Sequence, residues 1–307
     1  MSDVDINISP FHAGEQQFQS RVGKRDLMEK IGKRAIRPYM IDQHREFYRQ
    51  LPFLVFGSVD SAGWPWASIV SGKPGFAYSS DPKFLRVDAH STDGDPLTEA
   101  IKEGSPLGML GIELHTRRRN RLNARVSQRD EDGFTLSVDQ SFGNCPQYIQ
   151  TRSIEFHANS FEHQRDSSSE EFTNLDSAAS EMISAADTFF VSSFVSAKER
   201  PDVEGVDVSH RGGQPGFVKV EGNTLTIPDY AGNNFFNTLG NFLLNPKAGL
   251  LFADFVSGDV LLLTGRVELI GEDDPQVKAL NGAMRAWQFT LRHGIRLKGS
   301  LGLRMAS

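Results

Sequence analysis

Apolar residues recur along this chain in short runs divided by glycine, proline and acidic turns, the pattern of strands rather than of long helices. Phe53–Val59 is such a run, and Gly63, Gly72, Pro74 and Gly75 punctuate the stretch after it. Further strands are predicted over Leu107–Leu114, Leu122–Val126 and Phe134–Val138, the last after a turn at Asp130–Gly133. Strand spacing returns from Phe189 to Ile270. Helical spacing is confined to the flanks: Arg21–Lys33 and Pro38–Gln50 have it, with Asp42 as a cap for the second. Val277–His293 is predicted as a C-terminal helix, with Leu280, Met284, Trp287 and Leu291 on one face. Residues 164–180 are polar, with Ser167, Ser168, Ser169, Glu170 and Glu171 together, and read as a linker or an exposed helix start.

The two halves echo each other. Lys73-Pro74-Gly75-Phe76 returns as Gln214-Pro215-Gly216-Phe217, 141 positions on. Ala124-Arg125-Val126 returns as Gly265-Arg266-Val267 at the same offset, and Leu107–Ile112 lies over Ala248–Ala253. Phe53–Val59 resembles Phe189–Val195 at an offset of 136, so a short insertion precedes the second Pro-Gly-Phe. These echoes imply a duplicated all-β domain, and a barrel is the form that removes exposed strand edges.

Length and charge narrow the function. A chain of 307 residues suggests two domains of about 150 each. The divisions predicted are an N-terminal helical extension over 1–50, a first barrel over 51–163, a linker or helix over 164–186 and a second barrel with a C-terminal helix over 187–307. A net charge of -6 gives no overall footprint for nucleic acid. The single cysteine, Cys145, rules out an intramolecular disulfide and a cysteine-cluster metal site. Met1–Pro10 has no basic or apolar signal region, and runs such as Val260–Leu263 are far too short to span a bilayer. A soluble cytoplasmic protein with no membrane partner is the expectation.

The ordered motifs resemble the pyridoxamine 5'-phosphate oxidase-like FMN-binding split barrels. In the second half they are His210-Arg211-Gly212-Gly213-Gln214-Pro215-Gly216-Phe217, Ile227-Pro228-Asp229, Gly232 through Asn241, Asn245-Pro246 and Gly249-Leu250-Leu251-Phe252. The first half adds Trp66-Ala67-Ser68 and Phe142-Gly143-Asn144-Cys145-Pro146, and Phe11–Glu15 looks like the opening segment of two-barrel members. The resemblance implies a mainly β (α+β) fold of two tandem split β-barrels with peripheral helices. It also implies FMN between the barrels, in an intramolecular pseudo-dimer, and leaves a homodimer open. Two departures matter. The loop before Asn245-Pro246 carries Asn237 and Thr238 where the oxidase proper has basic residues, and its substrate-binding residues are not recognisable. Vitamin B6 chemistry is therefore not implied.

FMN carries a phosphate dianion, which favours backbone N–H groups, neutral donors and arginine forks. Gly232–Asn241 supplies amides and a hydroxyl where a helix could begin, with Asn233, Asn234, Asn237 and Thr238 as the binding residues and Pro228 beside them. Gly212 and Gly213 would let the backbone approach the ring, and His210 and Arg211 are donors. Thr116–Arg121 is the strongest basic cluster, and by the resemblance its strand reaches the flavin of the other barrel. Arg117, Arg118 and Arg119 are the candidates there. On a strand Arg117 and Arg119 share one face and Arg118 the other, so only some can serve.

Comparing the halves at the 141 offset predicts one competent site. His210, Arg211, Gly212 and Gly213 map to Ile69, Val70, Ser71 and Gly72, the asparagine loop maps onto residues including Asp93 and Asp95, and the arginines map to Gly258, Asp259 and Val260. No catalytic residue is assigned and no metal site expected: His115, His157 and His163 lack ligand spacing, and His12 and Glu15 read as part of a tethering arm. Cys145 reads as a structural thiol and Trp64 and Trp66 as packing residues, while Trp287 would cover a barrel end. The expected function is an FMN-dependent oxidoreductase with an unidentified small-molecule substrate or electron donor. A non-catalytic flavin-binding or sensing protein, or a haem-binding or haem-degrading split barrel, is the alternative.

Overall fold

Two large antiparallel sheets with the same strand order dominate the described residues. The computed structural model describes residues 9–157, 169–196 and 199–306. His163, Ser167, Ser168 and the start of the chain up to Ile8 lie outside the described residues. The first sheet holds β1 (Phe53–Val59), β2 (Pro65–Ser71), β3 (Ala77–Tyr78), β4 (Phe84–Val87), β5 (Pro106–Glu113), β6 (Arg118–Arg129) and β7 (Phe134–Gly143). Its order is β2-β1-β5-β6-β7-β4-β3. After β8 (Ile154–Phe156) and β9 (Ser169–Phe172), the second sheet brings β10 (Thr188–Phe194), β11 (Val206–Gly212), β12 (Lys219–Glu221), β13 (Thr224–Asp229), β14 (Lys247–Ala253), β15 (Val260–Ile270) and β16 (Arg285–Leu297). Its order is β11-β10-β14-β15-β16-β13-β12, with β9 added on β16, while β17 (Leu303–Met305) pairs with β8. The registers repeat as well: Pro106 faces Arg125 as Lys247 faces Arg266, and Ile112 faces Arg119 as Ala253 faces Val260.

The long apolar runs are strands buried on both faces. Along β1, Leu54 and Phe56 enter the core of the first sheet. Phe53 and Val55 point the other way, into a shared core with Phe190, Val208, Leu251 and Leu262 of the second sheet. The contact is reciprocal. A Cβ on Gly108 would lie 2.6 Å from the Val206 carbonyl oxygen, and one on Gly249 would lie 2.5 Å from that of Pro65. Gly249 and Val206 each stand 141 positions beyond Gly108 and Pro65. One surface thus meets its own repeat, the self-complementary geometry of a two-fold dimer realised within one chain.

The helices are α1 (Ala13–Arg21), α2 (Arg25–Ala35), α3 (Asp42–Gln50), α4 (Leu97–Ala100), α5 (Ser177–Ala185), α6 (Asn237–Leu244) and α7 (Pro275–Lys278). Asp42 is the first residue of α3, whose cap position is Ile41. Among the described residues no helix is long and apolar enough to cross a membrane.

The helix expected over Val277–His293 is a correction. Only Pro275–Lys278 is helical; residues 279–284 form a turn, and from Arg285 the region is β16, which runs down the middle of the second sheet. Trp287 and Leu291 are four apart, a spacing shared by one face of a helix and one face of a strand. Phe289, equally buried between them, decides for the strand. Trp287 accordingly packs inside the second core, 5.1 Å from the Phe242 ring, rather than over a barrel end.

Candidate functional site

A cleft opens where β6 of the first sheet meets β11, the loop after β13 and the start of α6. Its volume is about 130 Å³. Side chains two apart on β6 share a face, so Arg119 and Arg121 both reach it. Arg119 donates through Nε to the Cys145 carbonyl at 2.7 Å, and its Nη1 lies 3.1 Å from His210 Nδ1. A guanidinium only donates, so Nδ1 accepts and the imidazole is neutral. Burial, and then Arg119, Arg211 and Arg152, hold His210 well below its ordinary range. Burial, and then the neighbouring Arg121, pull Arg119 down to about 10, which leaves it charged at neutral pH. Arg121 bonds Ser209 and lies 3.4 Å from Asp207.

Positive charge exceeds negative in the wall. Arg211 and Arg285 share Asp229, at 2.7 and 3.1 Å, and Arg285 also reaches Glu272 at 3.1 Å. Arg119 has no carboxylate partner in the described contacts. The first turn of α6 lies in the same wall, and no side chain caps it. An uncapped helix start presents backbone N–H groups and the positive end of the helix dipole. Four arginines and such a helix end around one small space are the donor set that an anion would require.

The backbone here is held in costly conformations. Tyr148, Asn234 and Phe236 have φ of 65, 60 and 63°, and all three line the cleft. Non-glycine residues in the left-handed region cost free energy and persist where packing fixes them, often at functional sites. Phe236 is fixed by stacking on Phe18 at 5.1 Å. At the mouth Tyr148 and Tyr230 stack, with ring centres 5.1 Å apart.

The structure sorts the sequence candidates. His210, Arg211, Gly212, Pro228, Asn233, Asn234, Asn237, Thr238 and Arg119 line the cleft. Arg117 and Arg118 do not. Arg117 sits exposed in a left-handed turn at φ 58°, and Arg118 lies over the Phe47 ring at 4.9 Å. Gly213 is also outside the wall. A Cβ on it would meet the Phe217 ring at 2.6 Å, and one on Gly212 would lie 2.1 Å from the Tyr148 carbonyl oxygen. Internal contacts thus account for both glycines. The side chains of Asn237 and Thr238 are also turned inward, to Glu15 and Ser209, so their backbone is what a ligand would meet. Sequence reasoning missed Arg121, which the two-residue alternation from Arg119 could have found. It also missed Arg285, hidden in the misread helix, and the Tyr148–Tyr230 pair.

A second cleft occupies the pseudo-equivalent place in the first sheet, with Ile69 where the other has His210. Its ionisable lining is Lys73, Asp88, His90 and Asp93, and no arginine contributes. Among the described residues no group of three or more histidine, cysteine or acidic side chains is arranged to hold a metal ion.

No family model and no curated protein matches the chain. Solved structures do. A candidate pyridoxamine 5'-phosphate oxidase from Lactobacillus delbrueckii is 16% identical, over 34% of this chain and 95% of its own, with a TM-score of 0.28. A flavin-adenine-dinucleotide-binding protein from Mycobacterium smegmatis is 11% identical, over 41% of this chain and 98% of its own, with a TM-score of 0.26. The haem storage protein HutZ from Vibrio cholerae is similar too, 12% identical over 41% of this chain and 96% of its own, with a TM-score of 0.28. The two-barrel architecture itself rests on the repeated strand order and register.

Proposed function

We propose that the cleft binds flavin mononucleotide and that the protein is a flavin-dependent oxidoreductase built on two split barrels. On this reading residues 51–163 and 187–307 are the two barrel domains and 1–50 is an extension, while the segment expected as a linker or helix over 164–186 belongs in part to the second barrel, since β9 pairs with β16 and α5 packs Ala179 and Ile183 into the second core. The observation that carries the proposal is the meeting of Arg119, Arg121, Arg211 and Arg285 with the uncapped start of α6. A phosphate dianion there accepts charge-assisted hydrogen bonds from arginine and backbone donors together. A volume of about 130 Å³ would take a phosphate and part of a chain, whereas whole-ligand pockets run to roughly 300 Å³ or more. Tyr148 and Tyr230, which also line the cleft, would be the aromatic side chains available to the flavin ring. Redox chemistry would belong to the flavin, with the protein binding and orienting it.

A haem reading has less support. His210 is the imidazole of the cleft wall, its Nδ1 is engaged by Arg119, and its Nε2 is itself enclosed. The absorption spectrum of the purified protein, followed by mass analysis of the released ligand, separates the readings. Flavin bands and the mass of FMN support the proposal. A Soret band, the mass of FAD, or no ligand taken up at saturating FMN would remove it.

A further inference from the structure

Behind the cleft wall lies a closed ionisable cluster that holding a flavin does not explain. His12, which caps α1, Glu15 of α1, Arg121 of β6 and Asp207 of β11 are each 5% exposed or less. Glu15 accepts the His12 backbone N–H at 2.9 Å and the Asn237 amide at the start of α6. His12 Nε2 lies 3.5 Å from the same carboxylate without a hydrogen-bond partner. Burial holds this imidazole below its ordinary range against the opposing pull of Asp207, so it adds no cation near neutral pH. Asp207 accepts the Asn123 and Asn241 amides at 3.0 Å each and faces Arg121 Nη1 at 3.4 Å.

The groups facing Glu15 are therefore His12 from the cap of its own helix, Asp207 from β11 and Arg121 from β6. From α6 come only the amides Asn237 and Asn241. Two carboxyl groups share one cation. Ionising both would leave a net negative charge in a buried place, which is disfavoured. The one cation, Arg121, also lines the cleft, and its Nε is buried without a hydrogen-bond partner.

We propose that binding of a phosphate-bearing anion in the cleft takes up a proton from solvent onto Glu15, with Arg121 as the group shared between the cleft and the carboxyl pair. The proposal rests on the reading of the cleft as a phosphate site. An anion beside Arg121 takes part of the field that the carboxyl pair uses, so the pair binds its proton more tightly when the cleft is filled. Glu15 is the member that takes it, because burial and the Asp207 carboxylate already push it well above the ordinary carboxyl range. Glu15 is thus a positioning residue for the start of α6 and the seat of a proton-linked control over the ligand.

The test measures FMN affinity from about pH 6.5, above the second ionisation of a phosphate monoester near 6, up to the highest pH at which the fold persists. The wild type is expected to lose affinity as pH rises, by up to about tenfold per unit where Glu15 gives up its proton. Glu15→Gln keeps an acceptor for Asn237 and has no proton to lose, so its affinity is expected to stay flat. Superimposable profiles overturn the proposal. Should the variant not fold, calorimetry of the wild type in two buffers of different ionisation enthalpy reads the proton directly, and no uptake across the range also overturns it. If FMN does not bind at all, the flavin reading fails on its own. Inorganic sulfate then becomes the probe, read by thermal stabilisation, and a response independent of pH, or no response, sinks the coupling.

Discussion

Nη1 of Arg119 lies 3.1 Å from Nδ1 of His210, so a strand of one sheet and a strand of the other are joined by a hydrogen bond at the cleft. The pair fixes the imidazole tautomer and stations a charged guanidinium with no carboxylate partner beside the α6 start. Arg119→Ala is expected to weaken FMN binding by about 1.5–3 kcal/mol, the worth of a charge-assisted hydrogen bond. Arg129→Ala should leave it unchanged, because Arg129 lies at the far end of β6, bonded to the Thr98 and Ile101 carbonyls. Fluorescence titration of the two variants checks this, and equal curves would count against the assigned wall.

The same contact makes a prediction for His210. Burial and three arginines keep it neutral well below its ordinary range. Nitrogen chemical shifts should show one neutral tautomer as pH falls through about 6.5, the usual midpoint. In Arg119→Ala the midpoint should move upward, since one positive neighbour is gone. A charged imidazole at pH 6 in the wild type would be inconsistent with this environment.

Asp95 gives a pH dependence of stability. It is buried, accepts Ser68 Oγ at 2.6 Å and Leu97 N–H at 2.8 Å through one oxygen, and burial raises it from 3.8 to about 6. A carboxyl raised in the fold stabilises fully below the unfolded value, and that contribution is lost as pH rises through the folded one. The loss should run from about pH 4 to 6 and amount to roughly 2–3 kcal/mol at 1.36 kcal/mol per unit. Asp95→Asn keeps the accepting oxygen and cannot ionise, so its urea midpoint should not show this fall. Parallel pH profiles for the two proteins would rule out the assignment.

Gly14 and Gly240 let α1 and α6 touch. A Cβ on Gly14 would stand 2.1 Å from the Gly240 carbonyl oxygen. Gly14→Ala should destabilise the protein by about 1–3 kcal/mol, the usual range for overpacking, and should weaken ligand binding because α6 carries the anion site. An unchanged urea midpoint would show that the helices can separate freely.

Much of this architecture was legible in the chain because duplication leaves a constant offset. Pro-Gly-Phe and the Ala/Gly-Arg-Val triplets at 141 positions placed the strands that now carry matching registers. Strand β16 is not legible from Trp287 and Leu291, whose spacing satisfies both periodicities; only the burial of Phe289 between them separates strand from helix. In the site, Arg119 was named with two neighbours that a turn and the Phe47 ring take elsewhere. The roles of Asn237, Thr238 and Gly212 could not be read from residue type. Their partners Glu15, Ser209 and Tyr148 are brought in by tertiary folding from distant parts of the chain.

The measurement closest to the central claim is a calorimetric titration of the ligand-free protein with FMN. One cleft offers four arginines and a helix start, while its counterpart offers Lys73 and His90 beside Asp88 and Asp93. Like charges at close range disfavour a dianion in the second. Saturation near one FMN per chain is the predicted result. No heat of binding at saturating FMN, or two equivalent FMN molecules per chain, would contradict it.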